Sequence, residues 1–225
     1  MTAPSSNRYQ QLVWVLPILA VVALASFSRP GSAARDQQDL RAQVLLGRSL
    51  VITHDCNGCH GGSDPSFDGW LAGMKTPEQE FLIGPCAVKP GAQPCFHTRP
   101  RNLTPDNATG MGRFTARQIF NALRFGLRPE DTPDATITSM TPGKGNFPMN
   151  PHYLAPPMPW TGWRHMTDAE LHAIVAYLQH GLKPVTNKVA DSEGPPDFWA
   201  SAYTVENVGP YPAPAFPTVN ERIPK

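Results

Sequence analysis

The residues with the most specific chemistry in this chain are Cys56-Asn57-Gly58-Cys59-His60. Two thiols three positions apart at the end of a helix reach the vinyl groups along one edge of a porphyrin, and the adjacent imidazole then points at the iron. That is the attachment signature of c-type haem, and a single copy implies one covalent haem c. Two other chemistries use paired cysteines. A dithiol redox pair needs alternating strands and helices around it, which this sequence lacks. A zinc site needs two further ligands at suitable spacing, and Cys86 and Cys95 do not supply them convincingly.

An iron that only carries electrons is closed on its second face, usually by methionine or histidine. Met158 is the candidate for that position, so the metal ligands are read as His60 and Met158. The run Pro156-Pro157-Met158-Pro159-Trp160 stiffens the backbone and presents one side chain directly ahead of a helix. Met140, Met149 and His152 lie in the preceding irregular stretch and are its rivals, whereas Met166 reads as a helix staple and Met74 and Met111 as packing residues. Cys86 and Cys95 bracket a short loop containing proline and glycine. In an exported protein, thiols this close oxidise to a disulfide. His54, His97, His165, His172 and His180 have no motif around them and read as surface or cofactor-side polar residues.

Three helices must position these groups. The first spans 40–52, with Leu40, Val44 and Val51 on one side, Leu46 and Leu50 beside them, and Gly47 leaving room for another helix. The second starts at a capping box, Thr115 with Gln118, stapled by Phe114 and Ile119, and stops at Gly126. The third has its own capping box, Thr167 with Glu170, and a staple from Met166 and Leu171. Leu171, Ile174, Val175 and Leu178 follow at helical spacing, Gly181 is placed as a C-terminal cap, and Pro184 closes the segment. Residues 61–101 read as mostly loop. The stretch 127–159 is too long for a simple connection and is expected to wrap something. From 185 onward no period is visible, but Phe198, Trp199, Tyr203, Tyr211 and Phe216 are expected to lie against the domain or a partner.

The chain has 225 residues, 26 of them proline, with 16% charged residues and a formal charge of +1. So little net charge and no basic block exclude strong steering towards nucleic acid. An apolar run at 12–25 follows Arg8, short for a membrane span but matching a signal-peptide core; counted over 9–28 it makes a tilted anchor. Candidate cleavage sites are Ala23-Leu24-Ala25 and Ser32-Ala33-Ala34. With either fate, the sequence after Arg29 is expected on the periplasmic side of a bacterial inner membrane. The chain therefore divides into an anchor or signal segment with spacer at 1–34, a domain at 35–190 and a proline-rich extended tail at 191–225.

In order, the haem motif is followed by Asn102-Leu103-Thr104-Pro105-Asp106, Thr109-Gly110-Met111-Gly112-Arg113-Phe114-Thr115, Met158-Pro159-Trp160, and a last helix containing Ala173-Ile174-Val175-Ala176-Tyr177-Leu178. With these motifs the chain resembles the mono-haem class I cytochrome c domains, most of all those in the cytochrome subunits of membrane-bound alcohol and gluconate dehydrogenases. The resemblance implies a mainly α cytochrome c fold, with few short helices around one covalent haem and long irregular loops. To these the chain adds an N-terminal apolar helix and a proline-rich extension. It further implies that the first and last helices cross where Gly47 meets Tyr177, and that Asn102, with Arg101 or Trp160, hydrogen-bonds a haem propionate. Those subunits carry three such domains and this chain one. Its 128–153 loop and its tail are additions that read as docking surfaces.

The function expected is electron transfer, relaying single electrons between a dehydrogenase or respiratory complex and an acceptor such as a terminal oxidase. The chain would then be a carrier and not an enzyme. Two alternatives are a haem enzyme or gas sensor with an open distal position, and a structural subunit of a larger respiratory complex.

Overall fold

The computed structural model of the protein describes residues 32–74 and 80–224. The apolar run at 12–25, with its expected anchor or signal role, lies outside them. Among the described residues no helix is long and apolar enough to cross a membrane.

The two capping boxes form as their sequences dictate. Thr115 Oγ1 accepts from Gln118 N and Gln118 Oε1 accepts from Thr115 N, both at 3.1 Å, which satisfies two otherwise orphaned donors at the start of α3 (Ala116–Phe125). Gly126 ends α3 in the left-handed region at φ 69°. Helix α5 (Asp168–Ala176) opens the same way on Thr167 and Glu170. Its end differs from the expected glycine cap, because Tyr177–Gly181 widens into a π-helical turn. Gly181 serves close approach instead: a Cβ there would lie 2.9 Å from Val44 Cγ1 of the first helix.

That first helix, α1 (Ser32–Thr53), begins eight residues earlier than its apolar pattern suggests. Residues 33–39 lack proline and glycine, so nothing there breaks the helix, and residues 33 and 35–39 stay exposed. Val51 is fully buried and Val44 and Leu50 pack on the core, whereas Leu40 and Leu46 stay 38% and 45% exposed. Helices α1 and α5 cross at Gly47, where a Cβ would sit 1.8 Å from the Ala173 carbonyl oxygen and 2.8 Å from Tyr177 Cβ. Trp70 Nε1 donates to the Tyr177 hydroxyl at 2.9 Å and ties the intervening loop to the same crossing. A first core gathers here around Val51, Leu71, Ile119, Leu123, Leu171 and Ile174.

Within the expected loop of 61–101, β1 (Phe81–Ile83) pairs antiparallel with β2 (Phe96–Thr98), Leu82 facing His97. Three-residue strands are too short to show an alternation in sequence. Cys86 and Cys95 are bonded across the hairpin, their Cα atoms 5.5 Å apart. The 127–159 stretch wraps a second core, in which Leu127, Ile137, Phe147, Tyr153 and Trp160 pack on Phe125. The tail joins that core through Val208 in the short helix α6 (Val205–Val208), with Tyr203 and Tyr211 packed alongside.

Candidate functional site

The short helix α2 (Cys56–His60) follows α1 through a sharp turn at Asp55, which is left-handed at φ 53°. Gly58 faces the Asp55 carboxylate so closely that a Cβ would lie 2.5 Å from Oδ2. On the other side of the motif, Gly73 N donates to the His60 carbonyl at 2.7 Å and Leu71 N to that of Gly61 at 2.8 Å. The motif is therefore held rigidly at both ends.

Cys56, Cys59, His60 and Met158 all line one cavity of about 360 Å³, walled largely by apolar side chains such as Val51, Ile119, Leu123, Ile174 and Leu178. Four residues separated by up to 102 positions thus converge on one apolar space. His60 Nδ1 lies 2.7 Å from the Arg101 carbonyl oxygen. A carbonyl only accepts, so Nδ1 carries the hydrogen and Nε2 keeps its lone pair. Burial lowers the His60 pKa, opposed in part by that hydrogen bond, so the ring is neutral at pH 7. Burial also pushes the Cys56 thiol up to about 12 and raises that of Cys59. A redox-active dithiol needs the opposite shift. Among the described residues, no group of three or more His, Cys, Asp or Glu side chains is placed to hold a metal ion, and Cys86 and Cys95 are joined in a disulfide.

The rivals of Met158 are placed elsewhere. Met140 packs in the second core, Met149 is 68% exposed, and His152 pairs with Asp131 at the surface. Met111 does line the cavity, although its sequence context suggests only packing; it is also buried in the first core, its N–H bonded to the Thr104 carbonyl at 2.7 Å.

The three residues expected at a propionate are distributed differently. Asn102 is 1% exposed and does not line the cavity. Its Oδ1 accepts from Thr104 N and Oγ1, and its Nδ2 donates to Thr109 Oγ1 and the Val185 carbonyl, so its side-chain hydrogen bonds are taken up by its own loop and by the segment after the last helix. Trp160 is fully buried in the second core, behind Met158. Arg101 lines the cavity, its Nη1 reaching Asp191 Oδ1 at 3.3 Å. Arg99, which no motif marks in the sequence, lines it too. Its Nη groups pair with Glu80 and Glu193, while its buried Nε has no hydrogen-bond partner among the described residues. The signal that was available is the Thr98-Arg99-Pro100-Arg101 alternation, which puts two cations on one extended face.

No family model matches the chain. It is 26% identical over 145 residues to the fructose dehydrogenase cytochrome subunit of Gluconobacter japonicus, covering 64% of this chain and 22% of that protein. It is 26% identical to the gluconate 2-dehydrogenase cytochrome c subunit of Pantoea cypripedii, covering 78% and 32%. Against the cytochrome c subunit of alcohol dehydrogenase (quinone) of Gluconobacter oxydans (strain 621H), the identity is 30%, covering 79% and 30%. The chain therefore spans less than a third of the length of these relatives. They are cytochrome subunits of dehydrogenases, as the motif order implied.

Proposed function

We propose that this protein is an electron-transfer c-type cytochrome that holds one haem c covalently and relays single electrons between a dehydrogenase and an acceptor. What carries the reading is the convergence of Cys56, Cys59, His60 and Met158 on one apolar cavity. The donor set fits the group: two neutral thiols for thioether links, a neutral imidazole with Nε2 free, and a thioether sulfur for the second face. When bound, the haem takes up and gives back one electron at its iron.

The chain's own residues bind, orient and exclude water. Arg101 fixes the imidazole through its carbonyl. The apolar walls keep the site dry, which together with a thioether ligand raises the reduction potential. Arg99 and Arg101 line the cavity and would present cations to the carboxylates of the haem edge. The partner dehydrogenase, a respiratory acceptor, and tethering at the periplasmic face of the membrane by 9–28 complete the proposal. The relatives' names support the first of these.

The visible spectrum of the reduced holoprotein, with and without carbon monoxide, tests it. An unchanged low-spin spectrum is expected for the wild type, and a carbon-monoxide shift for Met158→Ala. A wild type that binds carbon monoxide freely would sink the closed-site reading. If Met111→Ala opens the site and Met158→Ala does not, the sulfur ligand is Met111.

A further inference from the structure

The turn that carries Met158 is clamped from behind by the C-terminal segment. Its own hydrogen bonds are local: Met158 N donates to the Ala155 carbonyl and Trp160 N to that of Met158, both at 2.9 Å. Trp160, two residues on, is fully buried, stacked on Tyr153 with ring centroids 6.0 Å apart and met edge-on by Tyr203 at 5.0 Å. Four residues further, the Arg164 side chain is 1% exposed and makes no ion pair among the described residues. Its Nη2 donates to Met140 Sδ at 3.0 Å and to the Pro210 carbonyl at 3.3 Å. A buried cation held by neutral acceptors is costly, so it persists only where the surrounding packing holds it in place. Tyr211, beside Pro210, closes edge-to-face on Phe125 at 4.8 Å.

The other flank is held as well. Asp197 Oδ1 accepts from Tyr153 N at 3.2 Å and from Arg128 Nη2 at 3.0 Å. Leu154, the next residue, both lines the cavity and packs on the second core. Residues 197–211 therefore touch Tyr153 before the turn and both Trp160 and Arg164 after it, while Met158 faces the cavity between them.

We infer that residues 197–211 form a strap that positions Met158, with Tyr203 as its central positioning residue. The inference rests on Met158 being the iron ligand. A sulfur carried on a turn clamped on both flanks has little freedom to swing out. Loosening the strap frees the turn to move as a unit and opens the second face.

The experiment compares the full-length holoprotein with Tyr203→Ala, Tyr203→Phe and Tyr211→Ala, using Met158→Ala as the reference for an open site. Carbon-monoxide reactivity of the reduced protein, reduction potential and thermal midpoint are measured together. Tyr211→Ala is expected to raise the carbon-monoxide-reactive fraction about tenfold, the factor for losing its one edge-to-face aromatic contact, and Tyr203→Ala, which loses such contacts to both Tyr153 and Trp160, to raise it further. The potential should fall towards that of Met158→Ala, and Tyr203→Phe, which keeps the ring, should match the wild type. A lower thermal midpoint with unchanged reactivity and potential in the alanine variants overturns the strap and leaves Met158 as ligand. If Met158→Ala itself stays closed to carbon monoxide, the ligand assignment fails and the strap fails with it. Should Tyr203→Ala not accumulate as folded protein, Tyr211→Ala, at a half-buried ring, decides the question.

Discussion

His60 shows how much of this site is settled by single contacts. The Arg101 carbonyl fixes which ring nitrogen carries the hydrogen, and burial keeps the ring neutral. The motif Cys56 to His60 was legible because the chemistry itself dictates its spacing. Asn102 is the opposite case: the resemblance implied a propionate contact, and only the fold shows that Thr104, Thr109 and Val185 take up its side-chain hydrogen bonds. Arg99 is a cation that lines the cavity. Replacing it by glutamine removes a positive charge that favours the reduced form, so Arg99→Gln should lower the reduction potential in a redox titration. An unchanged potential would place Arg99 in the Glu80 and Glu193 network alone.

The elements were read best where local chemistry punctuates them. Both capping boxes and the Gly126 stop are properties of a few adjacent residues, whereas the early start of α1 and the π-helical end after α5 depend on what each helix meets. The crossing at Gly47 is the tightest of these contacts. Gly47→Val would drive methyl groups into Ala173 and Tyr177 and should destabilise the fold by about 1–3 kcal/mol or more, seen as a lower midpoint in chemical denaturation. The loop after Asn102 depends on Asp106, whose carboxylate accepts from Thr109 N and Oγ1 and from Thr186 Oγ1. The Thr109 hydroxyl bond is the largest cause holding its pKa below the usual carboxylate value. A depressed folded pKa contributes stability above the unfolded pKa, and that stability is lost as pH falls through the folded value. Asp106→Asn should therefore melt earlier at pH 7 and show a shallower loss of stability below about pH 4 than the wild type.

At the scale of the molecule, two cores share the work. The first positions the haem motif and the second, built from the 127–159 loop and the tail, backs the Met158 turn. The Cys86–Cys95 bond closes the hairpin loop. Replacing both cysteines by serine should lower stability to urea by about 2–3 kcal/mol in the chain-entropy account, with the visible spectrum of the holoprotein unchanged. A changed spectrum would mean that the hairpin, and with it Phe81, Thr98 and Arg99 at the cavity, depends on the bond. The sequence by itself determined the Cys56 to His60 motif and the capped helices, because each rests on residues close together in the chain. Only the tertiary structure decided that Arg99 reaches the cavity, that Asn102 does not, that Met111 joins Met158 there, and that the tail closes the second core. Those outcomes depend on contacts between segments tens of residues apart, whose formation is decided by which apolar surfaces meet and which polar groups are left to be satisfied.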